Sequence, residues 1–319
     1  MHINRGLLFW GLALVTAGVV ALAASQGWFD REVLIEAWRL WPLILIAIGL
    51  AIVLSRTPFA LLGTVVAALV VGTAGGAAFT VGPGVVSCGD GPTSTETSSG
   101  DFTAPDAAVH VDLNCGELDM ALGDGSAWHA VTGINAEDPA ELASDGVSLR
   151  LSSEGGSFPF RRERQEWALT LGREVSYDIS ASLNAADSRF DLAGGRFSRI
   201  SLDPNAGSVH MDLTGAEVLD FSVSLNAGSL SLMTDAETDL TGVINVNAGA
   251  VSVCAAEGTA MRFTVSANVT FAHDLDESGL AQSGDTYTSA SFESAAHRID
   301  LRLEGNAASF DLNPEDGCE

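Results

Sequence analysis

Five asparagines, Asn184, Asn205, Asn226, Asn247 and Asn268, stand 21 residues apart, each from the next. Asn114 and Asn306 lie off that ruler but in the same surroundings. Apolar residues precede the Asn at offsets −5, −3 and often −1, as in Val109/Val111/Leu113 and Phe221/Val223/Leu225. Glycine follows at +2 in Gly116, Gly207, Gly228 and Gly249, and apolar residues return at +4, +6 and +8. Alternation with period two places every second side chain on one face, so both arms of each copy share an interior. Gly supplies a φ > 0 that a side chain would forbid, and Asn bonds its own backbone locally.

Strand, tight turn, strand, repeated at fixed length, is the mark of a stacked repeat. The fold class expected for residues 106–319 is an all-β domain, a single-stranded β-solenoid (β-helix) with repeats of 21 residues. Coils stacked at roughly 4.8 Å would let equivalent Asn side chains form a hydrogen-bonded ladder along the axis. The competing architecture is a sandwich of meanders in which Asn-Ala-Gly is a hairpin turn; the constant spacing argues against it. Residues 135–172 break the ruler and read either as an insertion or as atypical coils that cap the stack.

Residues 1–81 read as a membrane anchor. Residues 7–24 and 58–81 are apolar enough to cross a bilayer, whereas 40–54 is shorter than the roughly 20 residues a span needs. Residues 27–39 read as an amphipathic helix in the membrane interface. Trp28, Trp38 and Trp41 suit an interfacial belt, and Arg56 a snorkelling cation. Gly72 and Gly76 form a small-xxx-small pair that would pack helices closely. Residues 82–105, rich in Gly, Ser, Thr and Pro, read as a flexible linker.

The chain has no Lys, and after residue 81 it carries 38 acids against 11 arginines, a net of −27. Such a surface repels nucleic acid and anionic lipid, while the simplest reading of the charge is solubility in an export compartment. Cys88, Cys115, Cys254 and Cys318 show no metal-binding spacing, and in an exported domain they suggest two disulfides. Of three pairings, Cys88–Cys115 would pin the linker to the first coil and leave Cys254–Cys318 to clamp the last ones. The orientation read from this is a multi-pass protein of the cell membrane with an extracytoplasmic C-terminal domain.

No catalytic motif is present: no G-x-S-x-G, P-loop, HExxH or Rossmann glycine pattern. His110 and His210 fall on exterior positions. Asp124 and the Asp274/Asp276/Glu277 group are candidate Ca²⁺ ligands without an EF-hand or nonapeptide pattern. The expectation is a protein that is not an enzyme and carries no cofactor and no metal.

The N-terminal residues Arg5-Gly-Leu-Leu-Phe-Trp-Gly11, Gly18, Trp38-Arg-Leu-Trp41-Pro42, Gly49 and Arg56 resemble the LiaI/LiaF-type transmembrane region. The Asn-Ala-Gly turns and the 246–265 segment resemble, at the level of pattern, LiaF-type C-terminal domains and adhesin-like toastrack β-repeats. That resemblance implies a bacterial envelope protein; some LiaF-like members restrain a two-component system that answers wall-active antibiotics. The leading expectation is a non-enzymatic envelope protein that senses or modulates envelope stress. Its partners would be the lipid bilayer and a membrane sensor kinase or other envelope protein. The alternative is an adhesin-like or structural surface solenoid on a membrane stalk, whose open ends allow self-association.

Overall fold

The structure is a computed structural model that describes Cys88 and residues 91–134, 139–153, 164–314 and 317–318. It also describes short helical stretches at 11–12, 14–16, 68–70 and 72–73; side chains of 134 and 267–270 are outside the description. The chain divides into two compact units, Met1–Val85 and Val86–Glu319. Only the second is described continuously enough for a fold.

Among the described residues fifteen strands form one sheet. In chain order they are β1 (Ser94–Asp101), β2 (Asp106–Gly123), β3 (Ala127–Ile134), β4 (Ala140–Ser144) and β5 (Ser148–Ser153). β6 (Gln165–Gly172), β7 (Ser176–Asp191), β8 (Arg196–Pro204), β9 (Gly207–Asp212) and β10 (Glu217–Thr234) follow. The last are β11 (Asp239–Ala255), β12 (Met261–His273), β13 (Ala281–Ser283), β14 (Thr286–Thr288) and β15 (Ile299–Leu312).

The long strands bend at their Asn-Ala-Gly corner, and the two arms of a strand do not pair with each other. Each arm pairs instead in parallel with its equivalent in the next copy, as in Leu225↔Val246, Gly228↔Gly249 and Leu232↔Val253. Parallel pairing rules out the meander reading, because a hairpin would pair the two arms antiparallel. The alternation buries the expected face: Phe221, Val223, Leu225, Leu230 and Leu232 all lie in the core between the arms. Fully buried rings from successive strands fill it, with Phe263 and Phe310 5.3 Å apart between centroids.

Both ends of the stack are closed by antiparallel strands. The two arms of β2 pair in parallel with β5 and β6, inside the stretch where the ruler breaks. β4 then pairs antiparallel with β5, and β3 antiparallel with β6, with β1 on its far side. At the other end β12 meets the β14–β13 hairpin.

Two sequence expectations need correction. Residues 82–105 are not a linker throughout: Cys88 is tied to Cys115, and β1 makes eight paired positions with β3. Its Ser and Thr residues and its two acids suit an edge strand, and Gly100 lets it lie against the Trp128 indole, which a Cβ would approach to 2.8 Å. The second correction concerns stacking order. The ruler puts the Asn268 copy next to the Asn247 copy, yet β15 lies between them, parallel to both β11 and β12.

β15 fits both neighbours. A Cβ at Gly305 would come within 2.0 Å of the Phe271 ring of β12. Arg262 of β12 is paired with Asp300 of β15, and Asp274 accepts from the Leu312 amide at 2.9 Å. β12 itself is irregular at the corner, with a register shift between Ala267 and Thr270. The connection into β12 (256–260) is one residue longer than the 235–238 connection, and it must step across two strand spacings.

The corner glycine is required twice over. Gly228 has φ 131°, and a Cβ on it would lie 1.9 Å from the Gly207 carbonyl oxygen of the preceding copy. Gly228→Ala is therefore expected to destabilise the β domain by roughly 3 kcal/mol, through positive-φ strain and loss of the close approach. Ala227→Gly at the exposed neighbouring position should cost about 1 kcal/mol or less. Denaturant unfolding of the purified protein, followed through the β signal, compares the two.

Candidate functional site

The sequence-selected residues fall into three groups. Trp28, Trp38, Trp41, Arg56 and Gly76 lie outside the described residues, as do the spans 27–39 and 40–54. Gly72 is helical and buried. Six corner asparagines come together in one ladder. Asn184 Nδ2 donates to Asn114 Oδ1 at 2.8 Å, Asn205 to Asn184 at 2.7 Å, and Asn226 to Asn205 at 2.5 Å. Asn247 donates to Asn226 at 2.7 Å, and Asn306, not Asn268, donates to Asn247 at 2.9 Å. All the amides point the same way, so each bond polarises the next. At the capped end Asn114 Nδ2 donates to Ser153 Oγ at 2.8 Å, which ends the ladder on a hydroxyl supplied by β5.

The four cysteines form two disulfides, Cys88–Cys115 and Cys254–Cys318. The first joins the segment ahead of β1 to the corner of β2. The second joins the outer side of β11 to the tail beyond β15. Asn313 supports that tail at φ 53°, its Oδ1 accepting from the Ala255 amide at 2.8 Å.

Sequence reasoning missed a cleft of about 540 Å³ at the start of β10, β11, β15 and β12, closed on one side by the 289–298 connection. Its centre is Phe292, buried, with the Arg262 guanidinium 4.4 Å and the Arg298 guanidinium 5.8 Å from the ring centroid. Asp239 receives His297 Nδ1 at 2.8 Å and the Arg298 amide at 2.9 Å. The hydrogen bond to Asp300 raises the Arg262 pKa further above its already high ordinary value. Leu219 is turned out beside the cleft by the irregularity between Val218 and Phe221. The cleft gathers residues from four stretches of the chain, near 218, 240, 262 and 292–300, so no local spacing could have marked it.

The remaining candidates are structural. Asp274 is committed to the Leu312 amide, and Asp276 accepts from the Tyr287 hydroxyl at 2.8 Å. Among the described residues no group of three or more His, Cys, Asp or Glu could hold a metal ion. His110 Nδ1 is bonded to Ser180 Oγ on an exposed face. Asp235 organises the turn between β10 and β11: its carboxylate accepts from the Gly215 amide at 2.9 Å and from Thr238 Oγ1 at 2.8 Å. Partial burial works to raise its pKa, but these donors and the Glu237 amide outweigh it and hold the carboxyl below its ordinary value.

Comparison with known proteins adds the class. Residues 8–53 match the LiaI-LiaF-like transmembrane region, and residues 93–233 match the N-terminal domain of toast_rack. The second match starts just ahead of β1 and ends within β10, so β1 belongs with the β domain. Together the two matches define a membrane-anchored envelope protein. Among the described residues no helix is long and apolar enough to cross a membrane.

No curated protein matches the chain. Among solved structures, a candidate cell adhesion protein from Clostridium sporogenes is 11% identical, with a TM-score of 0.44 over 69% of this chain and 99% of that one. A candidate adhesin from Bacteroides fragilis is 10% identical, with a TM-score of 0.30 over 70% of this chain and 99% of that one. At these scores the likeness does not define a common fold.

Two outcomes follow from this geometry. A carboxyl with a depressed folded pKa adds stability that is fully present above its unfolded value and is lost as pH falls through the folded value. Asp235→Asn should thus be less stable than the parent at neutral pH, with the gap closing below about pH 4, in thermal unfolding across a pH series. The Cys254–Cys318 bridge spans 64 residues, so Cys254→Ser should lose about 4 kcal/mol by restored chain freedom in the unfolded state. Urea unfolding with and without reductant checks this, since reductant should not further shift the variant through that bridge.

Proposed function

We propose that the protein is a non-enzymatic, multi-pass membrane protein whose extracytoplasmic β domain serves a sensor or modulator of envelope stress. The domain is read as a single-stranded β-solenoid of 21-residue coils. The observation that carries the reading is the order of the two matches, a LiaI-LiaF-like membrane region followed by a toast_rack domain. Two disulfides in the β domain support an oxidising, extracytoplasmic setting. The outer surface is read as one for display rather than turnover; in its cleft Arg262 is paired with Asp300, and Asp239 with His297.

Within this reading, the membrane segments contact the bilayer and a membrane partner such as a sensor kinase, with Trp28, Trp38 and Trp41 at the interface and Gly72 and Gly76 against a neighbouring helix. A filament-forming adhesin is less well supported, because antiparallel strands close both ends of the stack. Deleting the gene should change a reporter of wall-stress signalling several-fold when cells meet a wall-active antibiotic. Restoring residues 1–85 without the β domain should recover only part of that change. A reporter unaffected by deletion would remove the signalling role.

A further inference from the structure

Strand register fixes which residues border the cleft around Phe292. Glu217 of β10 stands beside Asp239 of β11. On the other side of β11, Leu240 is paired with Ile299, and its amide donates to the Arg298 carbonyl. Arg298 therefore lies across Asp239 from Glu217. With strands roughly 4.8 Å apart, the two backbones are separated by about 10 Å. The side chains of Glu217, Asp239 and Arg298 all line the cleft.

The charges in it divide into two sets. Asp239 accepts from His297 Nδ1 and from the Arg298 amide, and Arg262 is paired with Asp300 and feels the Glu293 carboxylate. Glu217 and Arg298 are left over. Among the described residues neither side chain has a hydrogen-bond or ion-pair partner, and they do not pair with each other. The Arg298 guanidinium instead rests 5.8 Å from the centroid of the Phe292 ring.

The lip of the cleft carries a third unsatisfied group. The bulge in β10 turns Leu219 outward, where it is 65% exposed. The preceding copy runs in phase through the same step and places Ser198 there, so the repeat does not demand an apolar residue.

Opposite unpaired charges across a cleft of about 540 Å³ select a ligand with opposite charges of its own. A simple anion would meet Glu217, Glu293 and a domain of net charge −27, and a simple cation would meet Arg298. A zwitterion satisfies both. The gap sets its length: two or three extended residues, at about 3.3 Å each, reach from one side chain to the other.

We propose that the cleft binds a short free peptide of two or three residues. Its ammonium group donates to Glu217, its carboxylate accepts from the Arg298 guanidinium, and an apolar side chain packs on Leu219. Guanidinium–carboxylate pairing of this kind is charge-assisted and directional. Such binding does not require the signalling role proposed above.

The test is calorimetric titration of the full-length protein in lipid nanodiscs, with empty nanodiscs as the blank. The probe is the tripeptide Ala-Leu-Ala, beside its N-acetyl and C-amide forms, Ala-Ala-Ala and free leucine. Ala-Leu-Ala should bind saturably at one site per chain, and blocking either terminus should weaken it at least tenfold. Glu217→Gln and Arg298→Gln should each weaken the free peptide to the same degree, while Arg189→Gln on the other arm of the stack leaves it unchanged. In the Arg298→Gln protein the free acid and the C-amide should bind alike, because the residue and that terminus form one interaction. Leu219→Ser should weaken Ala-Leu-Ala several-fold and Ala-Ala-Ala little. Both charge substitutions are at exposed positions, and unchanged thermal unfolding establishes that the variants are folded. No saturable binding of Ala-Leu-Ala at millimolar concentration would overturn the proposal. So would equal binding of the blocked peptides, binding indifferent to Glu217→Gln and Arg298→Gln, or free leucine binding as tightly as the tripeptide.

Discussion

Parallel backbone pairing between successive copies at the Asn-Ala-Gly corner is the constraint from which the rest of the β domain follows. To pair at strand spacing through a sharp corner, the backbone of one copy must come close to the carbonyl of the one before. At Gly116, Gly207, Gly228 and Gly249 a Cβ would meet that backbone at about 2 Å. Once glycine permits the approach, the neighbouring Asn side chains fall within hydrogen-bonding distance of each other, and the apolar offsets on both arms are brought into one core. The ladder is thus a consequence of the close approach as well as a support for it. Its amides are mostly exposed, so each bond adds only about 1 kcal/mol or less, and the buried apolar face supplies the larger share of stability.

A stack built this way has two weaknesses, its ends and its exchangeable layers. The ends are met by antiparallel strands at each side. The layers are alike enough that order must be enforced by features outside the repeat. β15 is held on both sides: the Cys254–Cys318 bridge ties its tail to β11, while Gly305 receives Phe271 and Asp300 meets Arg262 on the β12 side. The same placement creates the cleft around Phe292, since the connection that carries the chain from β14 to β15 must pass over the starts of four strands. The most distinctive chemistry on the outer surface is therefore a by-product of strand order.

Much of the domain was legible in the residues. The offsets around Asn226 named the buried face correctly, and the ladder from Asn184 through Asn247 lies where equal spacing implies. Four cysteines pointed to two disulfides, while the choice among three pairings was left to the structure, which joins Cys88 to Cys115 and Cys254 to Cys318. β1 was hidden because Ser, Thr and Gly composition serves a solvated edge strand as well as it serves a linker; only the eight positions opposite β3 distinguish them. The Asn268 copy misled for a related reason. Its spacing is perfect, but its corner lacks the glycine and carries an extra residue, so it suits the end of the stack.

By itself, the sequence determined the repeat, the face each residue presents, the corner chemistry and the membrane-region-then-β-domain order. These are local properties, set by alternation, by the φ that glycine permits and by composition along a short window. Only the tertiary structure decided which copy lies against which, how the ends are closed, and which distant residues share the cleft. Strand order is a choice among near-equivalent partners, and it is fixed by long-range links such as the Cys254–Cys318 bridge that no periodicity encodes.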